Sequence, residues 1–150
     1  MLTNLTKTIK FNKLNKNHGW LSIWSPHGIN YRNNLWSNCA HAWYGTRFSK
    51  KPCMIKIGAR MVSYYKNKEI ENQNENLLLE ILLEILHAKL KTHPILKIYL
   101  LETNNSELLF TTSKHEITEQ KWLGFCEETN FGENHLGKLW MKIRETIKKN

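Results

Sequence analysis

The chain has 150 residues, 41% of them hydrophobic, and a formal net charge of +9. That length suits a single domain with a real core over residues 1–150. The longest apolar run, Leu77 to Leu90, is broken by Glu80, Glu84 and His87 and is no membrane span. Cys39, Cys53 and Cys126 show no metal-type spacing, and Met1 to Lys7 lacks the apolar stretch of a signal peptide. A reduced, cytoplasmic protein is expected. The charge favours phosphate-bearing partners, but the lysines are dispersed, and the wealth of Lys, Asn and Ile also suits an A/T-rich genome.

In chain order, Thr6 to Phe11 alternates polar and apolar residues as a short strand does, with Ile9 and Phe11 on one side. Gly19 to Ile29 is an aromatic segment whose Pro26 and Gly28 argue against a regular central strand. From Trp36 the spacing turns helical. Ser37 or Asn38 can cap, and Ala40, Trp43 and Tyr44 share a side with Trp36. His41 lies off that stripe, where a structural hydrogen-bonded role and a cleft-facing role are both open. Ser49 to Arg60 is mixed, and Lys66 to Asn76 reads as an exposed polar connection or a frayed helix start.

Leu77 to Lys91 is the clearest core helix. Glu80, Glu84, His87 and Lys91 form its one polar stripe, a solvated edge rather than an acid–base pair. Thr92 can cap a further helix with Pro94 in its first turn and Ile95, Leu96, Ile98 and Tyr99 inward. Asn104-Asn105 marks a turn, and Glu107 to Thr112 reads as a strand.

The stretch from Gly132 to Arg144 combines a turn, the cap residue Asn134 and an amphipathic helix with Leu136, Leu139, Trp140, Ile143 and Ile147 on one face. Gly132 allows positive φ, and Gly137 inside a helix costs roughly 1 kcal/mol against alanine. Such a glycine fits a tight crossing or a ligand, so an anionic-ligand site near Gly132 is one candidate. No phosphate-binding loop, dinucleotide glycine motif, zinc-protease or calcium-loop motif or nucleophile elbow is present, so no cofactor or metal is expected.

Three segments together resemble the YbiA-like family, also called the NADAR (NAD and ADP-ribose associated) superfamily. The first is Gly19, Ser22, Pro26, Ile29, Trp36, His41 and Phe48, with Arg47 standing for a lysine. The second is Ala88-Lys89-Leu90 followed by Leu96, Leu100-Leu101-Glu102-Thr103 and Glu107-Leu108. The third, and most specific, is Gly132, Asn134, Leu136, Gly137, Leu139 or Trp140, Met141 and Arg144. The resemblance runs over about residues 19–147. It implies one compact α+β domain, predominantly helical with a few short strands, and an N-glycosidase fold. Family substrates include phosphoribosyl intermediates of riboflavin synthesis and ADP-ribose attached to guanine. The ligand-binding residues it implies are His41, Arg47, Trp122, Gly132, Asn134 and Gly137, for an ADP-ribose or ribose-phosphate ligand.

The chain departs from the family where the chemistry resides. Ala40 replaces the glutamate before the helix histidine, Ile23 replaces an early asparagine, and Asn74 falls near the place of a tryptophan. The late Asp-x-x-Trp-Gly motif survives as Glu119 to Trp122 with Leu123 before Gly124, which leaves Glu119 as the candidate catalytic carboxylate. An oxocarbenium-like centre needs a stabilising carboxylate. The expectation is therefore a pseudoenzyme, with glycosidase activity weak or lost. The alternative is a basic phage or viral protein that binds a host protein or nucleic acid in the host cytoplasm.

Overall fold

The structure, a computed structural model, describes residues 7–12, 17–48 and 74–150. The expected mixed segment from Ser49 to Arg60 and most of the polar run before Asn74 lie outside the described residues. The chain divides into two compact units, one made of Met1–Ser22 with Ile95–Asn150 and the other of Ile23–Pro94. Helices dominate and the strands are short, which is the expected α+β class.

In the first unit, strand β1 (Thr8–Phe11) pairs in parallel with β4 (Glu107–Phe110), in a register that sets Phe11 beside Phe110. The alternation of β1 aims Thr8 and Lys10 to one face and Ile9 and Phe11 to the other. The Phe11 and Phe110 rings stack with centroids 5.7 Å apart, and both are buried. Beyond β4, Thr111 bridges to Phe125 of β5 (Phe125–Cys126), itself antiparallel to β6 (Phe131–Gly132).

The last helix, His135–Lys149, packs on β4 through Leu136, Leu139, Trp140 and Ile143, as its sequence predicts. It also buries Arg144, whose Nη1 donates to Thr103 Oγ1 at 2.8 Å. Periodicity did not single out this cation, because a charged residue beside Ile143 reads as rim. The helix Ile95–Glu102 packs on the last helix through Leu96 and Leu100. Ile95, Ile98 and Tyr99, expected inward, are 51%, 53% and 43% exposed. The eight residues bury only one narrow stripe, so the apolar residues beside it face outward.

In the second unit, β2 (Ile29–Tyr31) and β3 (Asn34–Trp36) form a hairpin around Arg32 and Asn33, at φ 52° and 64°. Two consecutive left-handed residues define a primed turn, whose twist matches the strands it joins. Trp36 thus ends a strand instead of opening a helix, and its indole N–H donates to Tyr31 O at 3.1 Å. The helix α1 (Cys39–Phe48) follows, with Asn38, one of the two expected caps, accepting from His41 N through Oδ1 at 2.8 Å.

The core helix α2 runs Glu75–Thr92, capped by Asn74, whose side chain accepts from Asn76 and Leu77 N–H. Glu80, Glu84, His87 and Lys91 are exposed, as the stripe predicts. Thr92 is its final residue rather than the cap of the next helix, and His93 closes it through a bond to Lys89 O. Among the described residues the remaining helices are, in order, α3 (Ile95–Glu102), α4 (Ile117–Gln120) and α5 (His135–Lys149).

A methyl group added at Gly137 would collide with the Leu108 carbonyl oxygen of β4 and lie 2.6 Å from the Asn134 amide. Backbone cannot yield as a flexible side chain can. Gly137→Ala, which stabilises an ordinary helix interior, should here lower unfolding free energy by about 2 kcal/mol or more in urea titration. A neutral or stabilising result would show that α5 does not press on β4 there.

Candidate functional site

The turn ahead of α5 has no ordinary cap. Asn134 is left-handed (φ 53°) and its side chain makes no capping bond. Its amide reaches sideways to β4, with Oδ1 accepting from Phe110 N and Nδ2 donating to Leu108 O, both at 3.0 Å. Asn134 thus mimics a neighbouring strand, which corrects the cap expected from sequence. Backbone does the capping. Glu133, Asn134, His135 and Leu136 donate their N–H groups to the carbonyls of Lys121, Gly124, Trp122 and Leu123. These are the donors that a helix start would otherwise offer an anion.

Gly132 has φ +126°, as the sequence expects, and an added methyl would strike Gly124 O. The Trp122 ring lies 4.5 Å from that of His135. The structure therefore brings Trp122, Gly132, Asn134 and Gly137 together around one turn. Glu119 lies in α4 and Arg47 in α1, but their side chains lie outside the described residues.

Beside this turn is a groove of about 610 Å³, floored by Leu109 and Phe125 and edged by Gly132 and Asn134. Lys10 and Lys138 line it, and so do Glu107, Glu127 and Glu133. Lys10 is engaged with Glu127 at 2.9 Å, and Thr8 Oγ1 donates to Glu107 at 3.3 Å. Carboxylates outnumber the cations there. The groove offers acceptors for hydroxyl groups more readily than it offers charge to a phosphate, unlike the anionic-ligand site expected at Gly132.

The second unit holds a polar chain that sequence reasoning missed. Lys89, counted only as part of a family motif, is fully buried and donates from Nζ to Ser25 Oγ at 2.7 Å. Ser25 Oγ lies 2.8 Å from His27 Nδ1. The Ser25 hydroxyl thus accepts from Lys89 and shares a second hydrogen bond with His27. The His27 ring meets His93 edge-on at 4.9 Å, and His93 Nε2 donates to Gly28 O at 2.8 Å. Burial, partly offset by the nearby Cys39, draws the Lys89 ammonium down to about 8. Burial pushes the Cys39 thiol up to about 11. Burial, then Lys89 and His93, lower the pKa of His27. The signal available in sequence was helical spacing, which sets Lys89 on the face of Leu82, Ile85 and Leu86 and off the stripe of Glu80, Glu84, His87 and Lys91.

His41 sits in α1 with its Nδ1 buried and unpartnered among the described residues, and burial lowers its pKa. Glu84 is structural, accepting from Tyr31 Oη at 2.6 Å. The two departures from the family meet here. Ala40 N donates to Ile23 O at 2.8 Å, and both residues are fully buried.

No family model matches the chain. An N-glycosidase from Nostoc punctiforme is 28% identical over 151 aligned residues, covering 94% of this chain and 93% of that protein. The NMR structure of the Escherichia coli protein YbiA matches with a TM-score of 0.67 at 20% identity, over 97% of this chain and 88% of that one. The fold is the α+β fold of YbiA. The chain is thus similar to an N-glycosidase and shares the fold of YbiA, in line with the resemblance of its three motifs to the YbiA-like, or NADAR, superfamily.

Two measurements check this geometry. Asn134→Asp replaces the donor to Leu108 O with a second acceptor, and should cost about 2 kcal/mol or more of stability in urea titration. Unchanged stability would remove Asn134 as the link to β4. Lys89 is the second case. Its folded pKa of about 8 lies below the ordinary lysine value of 10.5, so the unfolded chain binds more protons between them and stability should rise with pH there. Tyr31, raised by burial and by Glu84, acts oppositely once the unfolded tyrosine ionises near 10. Below that point the wild type should gain up to about 1 kcal/mol per pH unit relative to Lys89→Met. Parallel profiles for the two proteins would refute the shift.

Proposed function

We propose that this divergent YbiA-like protein holds a ribosyl ligand, as ADP-ribose or a ribose phosphate, with N-glycosidase activity weak or lost. The observation that carries this reading is the contact of Ala40 with Ile23. The family places a glutamate and an asparagine there, and this chain places two apolar residues, both fully buried and joined through their backbones. α1 contains no acidic residue. Loss of one charge-stabilising group costs on the order of hundredfold in rate, and here a carboxylate and an amide go together. The Nostoc N-glycosidase supports the ligand class, and the carboxylate-lined groove beside Gly132 suits ribose hydroxyls.

Calorimetric titration with ADP-ribose, ribose 5-phosphate and ribose should give saturable heat. No heat and no thermal shift with any of them would overturn the ligand reading. Release of free base from ADP-ribosyl-guanine and from a phosphoribosylamine should run at least about hundredfold slower than with the Nostoc relative. Should turnover persist, Glu119 is the carboxylate that supplies it, and Glu119→Gln abolishes it. An unchanged rate would remove Glu119 from that role.

The charge of +9, with Lys138, Lys142 and Lys149 exposed along α5, supports a second reading, a nucleic-acid or host-protein partner of a phage or viral protein. Nucleic-acid binding of this kind weakens steeply with salt. Salt-independent binding, or none, leaves only the protein partner.

A further inference from the structure

In the second unit, residues 25–28 form a loop punctuated by Pro26 and Gly28 and turned by a bond from His27 N to Ser25 O at 2.7 Å. Two side chains one turn apart at the end of α2 hold it there. Lys89 Nζ donates to Ser25 Oγ at 2.7 Å, and His93 Nε2 donates to Gly28 O at 2.8 Å. His27 stands between these two bonds. Its Nδ1 lies 2.8 Å from Ser25 Oγ, and its ring meets that of His93 edge-on at 4.9 Å. From this arrangement we propose that the loop is a latch that acid releases, with His27 as its trigger.

The geometry limits the charge that the docked loop can hold. A serine hydroxyl has one proton to give and lone pairs with which to receive. While either Lys89 or His27 is neutral, Ser25 can accept from one and donate to the other. When both are charged, both can only donate, and the Ser25 proton loses its acceptor. Two cations then converge on one oxygen, at a lysine that is fully buried and a serine that is buried as well. Repulsion is stronger there than in water. Burial, then Lys89 and His93, hold the His27 imidazole below its ordinary value. From α1, Cys39 faces Lys89 with a thiol that burial keeps protonated. Tyr31 and Arg32 of the hairpin engage Glu84 of α2 instead.

Of the two cations, only His27 has a way out. Lys89 is fixed in the core on α2, whereas His27 is half-buried on a loop whose Pro26 is exposed. The docked imidazole titrates below the ordinary 6.5, so the released loop binds more protons as pH falls past that value, and docking weakens. Above it docking is at full strength. Each unit of difference is a tenfold change in the docking equilibrium. Release breaks the bonds of Lys89 to Ser25 and of His93 to Gly28, and it admits water to the Lys89 ammonium. It also frees the chain two residues beyond Ile23, whose carbonyl holds Ala40 of α1.

The test is NMR of the full chain between about pH 8 and about pH 5, the range in which an imidazole changes charge. His27→Gln and His93→Gln identify the two rings. In the wild type the carbon-bound ring protons of His27 should titrate below 6.5. Over the same range the steady-state nitrogen–proton NOE of the His27 and Gly28 amides should fall, while that of the α2 amides stays constant. His27→Gln keeps a polar side chain but removes the titrating charge, so the Gly28 NOE should stay flat. His93→Gln keeps a donor for Gly28 O and removes one of the rings facing His27, so the His27 midpoint should move up toward 6.5. A wild-type midpoint at or above 6.5 overturns the limit on charge. A Gly28 NOE that holds constant while His27 titrates overturns the release, and a fall that persists in His27→Gln overturns the trigger. If His27→Gln loses spectral dispersion and does not fold, His93→Gln decides, and an unmoved His27 midpoint there overturns the latch.

Discussion

The amide of Asn134 is the contact on which the first unit depends. β4 is paired with β1 along one edge only, and its other edge would leave Leu108 O and Phe110 N without a strand partner. A single side chain supplies both missing bonds. Asparagine can do this because its amide carries an acceptor and a donor, spaced like those of a peptide group. Aspartate lacks the donor. The geometry is reached only because the Asn134 backbone is left-handed, which turns its side chain away from the helix axis and toward the strand. α5 then starts so close to β4 that only glycine fits at 137.

That closeness decides what the turn can do chemically. A helix start preceded by glycine ordinarily has N–H groups to offer an anion. Here the N–H groups from Glu133 through Leu136 are bonded to the carbonyls of residues 121–124, and the Asn134 amide is engaged with β4. The glycines exist for backbone contact with Leu108 and Gly124. Recognition at this end must therefore come from side chains along the groove, where Glu107, Glu127 and Glu133 outnumber the lysines. Hydroxyl groups, such as those of a ribose, are the natural partners of its carboxylates, and Lys138 is a cation of the same lining.

Much of this was legible in the residues. The long apolar period of α2, the buried face of α5, strand β1, the positive φ at Gly132 and the turn at Asn104 all follow from spacing and residue type. What stayed hidden depended on partners distant in sequence. The amide of Asn134 reaches residues 24 and 26 positions away, so a cap was the only role that local sequence could suggest. Trp36 joined a strand because the Arg32–Asn33 turn brought it back beside Ile29, and arginine is a weak signal for a left-handed turn. Ile95, Ile98 and Tyr99 look inward by composition. A helix two turns long buries only the stripe that touches α5. Of the positions the resemblance offered, Trp122, Gly132, Asn134 and Gly137 gather at one turn, but the charge of the groove was hidden, since Lys10, Glu107 and Glu127 reach it from three distant stretches.

The same physics explains why scaffold and chemistry diverge. Asn134, Gly137, Thr103 and Arg144 keep their family types because each satisfies a buried polar group or fills a space that nothing else fits. Their loss would be felt as lost stability, whatever the protein binds. Ala40 and Ile23 are under no such constraint. A buried glutamate and asparagine carry a desolvation cost that a working site offsets by acting on substrate, and two apolar residues remove that cost. Apolar residues at these positions favour the fold, while the polar scaffold residues are fixed by the bonds they make. Lys89 belongs with the scaffold on this reasoning. Its ammonium is buried at an evident cost, with Ser25, His27 and His93 arranged around it, and the bonds it makes to the Ser25 loop hold that loop against α2.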